Sequence, residues 1–147
     1  MAAHDDADAE WIVVYDGSGP DYDATFATLP DGVQLLRLQD NRRQGAARNA
    51  GLAKATGRWI KFLDADDRLD AGHLTNLLDA VAGNGVIPFA PTRHVFPSGV
   101  TSLNDSWRTL AADSEAQLAR LLRAPFLHHC GALFPRELLE GLGGYDE

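Results

Sequence analysis

The sequence predicts an α/β fold, a single domain in which a mixed sheet is flanked by helices. Three observations carry that prediction. Short apolar runs of strand length alternate with helix-period segments along the first half of the chain. A length of 147 residues, 45% of them hydrophobic and 23% charged, suits one domain able to bury a core. The stretch Gln44 to Leu69, QGAARNAGLAKATGRWIKFLDADDRL, gives the alternation at its clearest: a small-residue amphipathic helix, a glycine stop, a short apolar strand, then three carboxylates within four positions.

Taken in order, Met1 to Glu10 carries Asp5, Asp6, Asp8 and Glu10 with little that is apolar beyond alanine, and reads as an acidic flexible tail before a domain over 11–147. Trp11 to Tyr15 is a buried-type strand, Tyr22 to Thr28 a helical turn after the Gly17-Ser18-Gly19-Pro20 break, and Val33 to Leu38 a second strand. Gly45 to Ala55 is an alanine-rich helix stopped by Gly57, and Arg58 to Leu63 is the strand that delivers the carboxylates. Asp70 stands where an N-cap belongs, ahead of Leu74, Leu77, Leu78 and Val81 at helical spacing, with Gly83 ending the run.

In the second half, Val86 to Ala90 is strand-like but holds Pro88, which confines it to an edge or a bulge. Arg93 to Phe96 faces Val100 to Leu103 across Pro97-Ser98-Gly99 as a hairpin. Ser114 to Arg123 is helical, Phe126 to Phe134 is a strand candidate, and Pro135 at an N1 position starts a last short helix to Gly141.

Composition excludes several classes. A net charge of −8 argues against nonspecific nucleic-acid binding. No apolar stretch approaches the roughly 20 residues of a membrane-spanning helix, and the N-terminus lacks the cationic start and apolar run of a signal peptide. Cys130 is the single cysteine, so an internal disulfide and a thiolate metal cage are excluded, and a reducing, cytoplasmic compartment is the expectation.

Chemistry concentrates at the end of the Arg58 to Leu63 strand. Asp64, Asp66 and Asp67 emerge where ligands collect in open α/β sheets, and an oxygen-rich cluster suits a hard divalent cation such as Mg2+ or Mn2+. From Arg37 to Lys61 seven cations face one anion, a local charge of +6 in an acidic chain. Such an island beside carboxylates suits a metal-bound diphosphate. A solvated turn with capping aspartates is the plain alternative for the trio; an EF-hand calcium loop fails, because Arg68 occupies the third ligand position. His128-His129-Cys130 is not read as a metal site, since neighbours on a strand point to opposite faces; the triplet is assigned to core or pocket lining.

These residues resemble a family. Arg48-Asn49-Ala50-Gly51-Leu52, Gly57 and Phe62-Leu63-Asp64-Ala65-Asp66-Asp67 are similar, in identity and spacing, to the central stretch of glycosyltransferase family 2, nucleotide-sugar-dependent enzymes with the GT-A fold. Ile12 to Ser18 resembles the family's second strand and DDGS turn, with Tyr15 in place of the first Asp, and Leu142 to Glu147 resembles its GGFDE segment. The resemblance implies a partial GT-A-like, Rossmann-like sheet: the opening SVIIPTYN-type strand has no counterpart, and the family's catalytic base lies several positions beyond GGFDE, whereas Glu147 is the last residue here.

What the resemblance further implies is metal-dependent, inverting transfer of a sugar from a nucleotide diphosphate sugar to an acceptor hydroxyl. Asp66 would hold the Mn2+ or Mg2+, with Asp64 on the metal, a metal-bound water or the ribose. Arg48 would reach a phosphate or the base, unless it is an ordinary exposed helix residue. Asp16 would either bond the ribose or base or cap the turn at Gly17, and Asp146 or Glu147 would serve as base. A second polypeptide, or strand exchange between identical chains, is the expected way to complete the sheet. The competing expectation is an inactive remnant that binds a nucleotide, a metal or a protein partner without transfer.

Overall fold

A computed structural model describes residues 9–17, 22–81, 87–104 and 128–147. The predicted helix over 114–123, Gly83 and Tyr22's preceding break at 18–21 lie outside the described residues, as does the tail up to residue 8. In chain order the elements are β1 Ile12–Tyr15, α1 Asp23–Phe26, β2 Gln34–Arg37, α2 Arg43–Lys54, β3 Trp59–Ile60, α3 His73–Val81, β4 Thr92–Val95, β5 Thr101–Asn104, a 3-10 turn His129–Gly131, β6 Phe134–Pro135 and α4 Arg136–Gly141. The chain is α/β, with one parallel and two antiparallel strand pairs among the described residues. They form two compact units, one of Asp6–Ile60 with Phe134–Glu147 and one built on Lys61–Leu133. None of the described helices is long and apolar enough to cross a membrane.

In the first unit β1 runs parallel to β2, Ile12 opposite Gln34 and Tyr15 opposite Arg37. A parallel pair needs a crossover, and α1 lies in it. That four-residue helix has no side-chain cap, and aromatic packing holds it instead: Tyr15 meets Tyr22 and Phe26 at ring separations of 6.2 and 5.4 Å. Arg37 lies over the Phe26 ring and pairs with Asp23. Helix α2 packs on β1, where Gly51 brings its backbone close to Val14.

The ends of α2 differ from the sequence reading for local reasons. It begins at Arg43, whose φ of +70° is unusual for a side chain of that size, with its N–H given to Asn41 Oδ1 at 2.9 Å. It ends where Ala55 turns extended. Gly57 is therefore not the stop; it is a receptor position two residues later, donating its N–H to Glu10 and accepting from Arg136 Nε at 3.0 Å. Strand β3 is two residues rather than six: Trp59 stands opposite Pro135 and Ile60 opposite Phe134, and the Arg136 N–H donates to the Arg58 carbonyl at 3.0 Å one step further on. Pro135 itself is the N-cap of α4 rather than its first residue. Ala46, Leu52, Ile60 and Leu139 are buried in this unit.

Helix α4 stops by a Schellman arrangement. Gly143, at φ +82°, donates to the Glu140 carbonyl, and Gly144 donates to that of Leu139, both at 3.0 Å. The paired glycines before Tyr145 thus have a conformational cause.

The second unit buries Leu77 of α3 with Ala132 and Leu133. Helix α3 starts at His73, after Gly72 at φ +73°, and Asp70 contributes its carbonyl to the His73 N–H at 3.1 Å from three residues upstream, outside the predicted cap position. Strands β4 and β5 pair as predicted to within a residue, Arg93 opposite Leu103 and His94 opposite Ser102, with Gly99 at φ +79° in the turn. Of the strand predicted over 126–134, the described part keeps Phe134 in β6 and an isolated antiparallel bridge between Ala132 and Phe89, while His129–Gly131 is a 3-10 turn. There the chain makes i to i+3 bonds, Gly131 N–H to the His128 carbonyl at 2.8 Å and Ala132 N–H to that of His129 at 3.1 Å. A Cβ on Gly131 would lie 2.8 Å from the Ala90 carbonyl oxygen, so only glycine permits this approach.

Candidate functional site

The carboxylate segment is a turn beyond the end of β3, closed by the Asp67 N–H donating to the Asp64 carbonyl at 3.0 Å. That reversal puts Asp66 at the exposed corner and brings Asp64 and Asp67 together. One carboxylate oxygen from each and the Cys130 sulfur lie within 4.8 Å of one another. These three residues, with Thr92, Arg93, His94, His128 and His129, line a cavity of about 220 Å³. All of it belongs to the second unit.

Two ionisable groups are shifted here. Burial pushes the Cys130 thiol up to about 12, and its hydrogen bond to the Asp67 carboxylate adds to this, while the Asp64 backbone N–H acts in the opposite sense. At neutral pH it is a thiol that donates to a carboxylate. Lys61, whose ammonium donates to the Cys130 carbonyl, is lowered by burial to about 8, against the attraction of Cys130 and Asp67. The donor set fits a hard divalent cation through its two carboxylates; a protonated thiol adds no ligand to such an ion.

The first unit holds the other predicted residues. Asn49 of α2 presents its amide to the backbone of Tyr145: Oδ1 accepts the Tyr145 N–H at 2.8 Å, and Nδ2 donates to the Tyr145 carbonyl and to Glu147 Oε1, each at 2.9 Å. Glu147 also pairs with Arg42. The guanidinium of Arg48 sits 5.6 Å from the centroid of the Tyr145 ring. Burial raises the Tyr145 hydroxyl and Arg48 partly offsets it. The RNAG and GGYDE segments are thus one hydrogen-bonded assembly.

The glycosyl transferase family 2 model matches residues 2–143. The chain belongs to glycosyl transferase family 2. Among curated proteins it is 33% identical over 138 residues to the succinoglycan biosynthesis protein ExoO of Rhizobium meliloti (strain 1021), covering 92% of this chain and 38% of that protein. It is 31% identical over 137 residues to the GalNAc(5)-diNAcBac-PP-undecaprenol beta-1,3-glucosyltransferase of Campylobacter jejuni, covering 90% and 44%. A second R. meliloti protein, ExoU of succinoglycan biosynthesis, is 30% identical over 156 residues, covering 90% and 46%. The chain spans less than half the length of these relatives.

For a family 2 chain, the mixed α/β arrangement is that of the GT-A fold. Of the predicted site residues, Asp64 joins Asp67, and Asp66 stands outside their group. Arg48 is on α2 against Tyr145; Asp16, half-buried, follows β1 and precedes Gly17 at φ +74°. Asp146 is exposed, and Glu147 is anchored at both carboxylate oxygens, by Arg42 and by Asn49. Nor is the cationic window an unengaged island: Arg37 pairs with Asp23, Arg42 with Glu147, Arg58 lies over Trp59, and Lys61 turns to a carbonyl.

Sequence reasoning missed Thr92, Arg93 and His94 of the cavity, whereas His128, His129 and Cys130 line it as the pocket-lining reading expected. The i to i+3 spacing of Asp64 and Asp67 was a usable turn signal, since a closed turn returns its ends to one side. The strand reading of 126–134 hid how Cys130 meets the two carboxylates, and its alternation rule does not apply to a 3-10 turn. Nothing local marks His94 or Lys61.

Proposed function

We propose that this chain carries out metal-dependent glycosyl transfer, moving a sugar from a nucleotide diphosphate sugar to an acceptor hydroxyl with inversion at the anomeric carbon. The observation that supports it most is the pairing of the Asp64 and Asp67 carboxylates on a polar cavity in a family 2 chain. In this reading those two carboxylates hold Mn2+ or Mg2+, which when bound offsets charge developing on the diphosphate leaving group. Asp66, at the exposed corner, would lie outside that ligand set. Arg48 serves a phosphate oxygen, where a planar fork bonds two acceptors at once. Asp16 serves the ribose or base.

Attack by a hydroxyl requires removal of its proton. Glu147 already accepts from Arg42 and Asn49, so the base role in this reading falls to Asp146. Because one relative is by name a beta-1,3-glucosyltransferase acting on a PP-undecaprenol-linked glycan, glucose donors are the first to assay.

The test is thermal stabilisation of the full chain by a panel of nucleoside diphosphates with and without Mn2+, followed by release of nucleoside diphosphate from UDP-glucose in the presence of glycan acceptors. At about 100 times its Kd a ligand stabilises by roughly 2.7 kcal/mol, a readily measured shift. Stabilisation that needs Mn2+, together with turnover, is the expected result. Stabilisation without turnover of any donor would remove transfer and leave binding; no stabilisation would remove both.

A further inference from the structure

We infer that His94 and His128 form a two-nitrogen binding site for a borderline transition metal of the Zn2+ class, within the cavity of the second unit. Their Nε2 atoms lie 3.2 Å apart, and the rings meet at 66° with centroids 4.6 Å apart. The two residues come from β4 and from the segment leading into the 3-10 turn, so their meeting is a product of tertiary structure and not of helical spacing. With Zn–N bonds of 2.0–2.1 Å and tetrahedral angles, two imidazole nitrogens on one zinc ion stand about 3.3 Å apart. The observed separation matches that bite.

The surroundings favour a cation. Asp64 and Asp67 line the same cavity, and their charge opposes that of Arg93, the cation among the lining residues. Imidazole nitrogen suits Zn2+, Cu2+, Ni2+ or Co2+, whereas Mg2+ and Mn2+ take oxygen. Without metal, one neutral imidazole donates to the other, and the pair is a plain hydrogen bond. An ion would give both nitrogens an acceptor at once. The inference needs only the two histidines and stands apart from the nucleotide-sugar reading.

The experiment uses the full chain freed of metal by a chelator. Zn2+ is titrated in competition with a chromophoric chelator, with His94→Gln, His128→Gln and, as control, Asp79→Asn on α3 away from the cavity lining, each checked for folding by circular dichroism. One Zn2+ per chain is expected, weakened at least tenfold by either histidine substitution and not by Asp79→Asn. Zinc affinity unchanged from the unmutated chain in either histidine variant, or no stoichiometric zinc, would each overturn the inference. None of these readouts involves a nucleotide, so failure of sugar transfer and failure of the zinc site are separable.

Discussion

The two units treat their polar residues differently. In the first, polar side chains are used on the chain's own backbone and termini: Glu10 on Thr56 and Gly57, Asn49 on Tyr145, Arg136 on Gly57, and Arg42 on Glu147. In the second, two carboxylates, a thiol and three imidazoles collect around a cavity. Segments of one family signature therefore divide into a part whose polar groups bond the chain's own backbone and a part whose polar groups line a cavity. Identity of motif does not say which is which.

The largest expected effect falls in the second unit and separates Asp66 from Asp67. Replacing Asp64 or Asp67 by Asn should weaken Mn2+ binding by about tenfold or more, while Asp66→Asn should leave it within about twofold. Isothermal titration of Mn2+ checks this. The opposite ranking would restore the ligand spacing read from the sequence, Asp64 with Asp66, and deny the turn its role.

Next in size is a pair of glycine substitutions in the first unit. Gly143 and Gly144 have nearly the same φ, +82° and +81°, so alanine at either carries the left-handed strain of about 1 kcal/mol. A Cβ at Gly143 meets nothing within 4 Å, but at Gly144 it would lie 2.5 Å from Asn49 Oδ1. Gly144→Ala should cost about 3 kcal/mol and Gly143→Ala about 1 kcal/mol, measured by urea unfolding. Equal costs would mean that Asn49 does not hold the Tyr145 segment.

Much of this was legible in the sequence, and the failures have local causes. The order of elements, the β4–β5 hairpin and the α2 to β3 passage follow from periodicity and turn residues, as do the carboxylates that follow β3. Element ends were misjudged where a long-range partner decides them. β3 pairs only over the two residues that face Phe134 and Pro135, and α3 starts late because Gly72 takes a left-handed turn. For the site, the acidic turn was visible, but the choice of Asp67 over Asp66 depends on the turn's closure. His94 and Cys130 enter through tertiary structure, which no local pattern encodes.

Asn49 tests the structural half of the comparison directly. Truncation to Ala removes one acceptor and one two-way donor from half-buried partners and leaves the Tyr145 N–H and carbonyl to find water. A cost of about 2 kcal/mol follows, since unsatisfied groups in partly buried positions lose more than an average hydrogen bond is worth. Asn49→Asp keeps the acceptor and loses the donor, and it sets a carboxylate against Glu147. It should therefore be no better than alanine. If Asn49→Asp were instead neutral in urea unfolding, the bonds to the Tyr145 carbonyl and Glu147 would carry no weight.

The smallest effect belongs to Glu10, where the same logic acquires a pH dependence. Its Oε1 accepts the Thr56 N–H at 2.6 Å, the Gly57 N–H at 2.7 Å and the Thr56 hydroxyl at 3.1 Å. The Thr56 N–H first, then the Gly57 N–H, hold this carboxyl below its ordinary value of 4.5. A depressed folded-state value stabilises only the ionised form: the contribution is complete above about pH 4.5 and disappears as pH falls through the lower folded value. Glu10→Gln keeps an acceptor but loses the charge, and for an exposed carboxylate that is worth about 1 kcal/mol or less. Melting temperatures of the two chains should therefore differ at neutral pH and converge in acid. Parallel curves would mean that Glu10 stays solvated and that the loop after α2 is held by its own backbone alone.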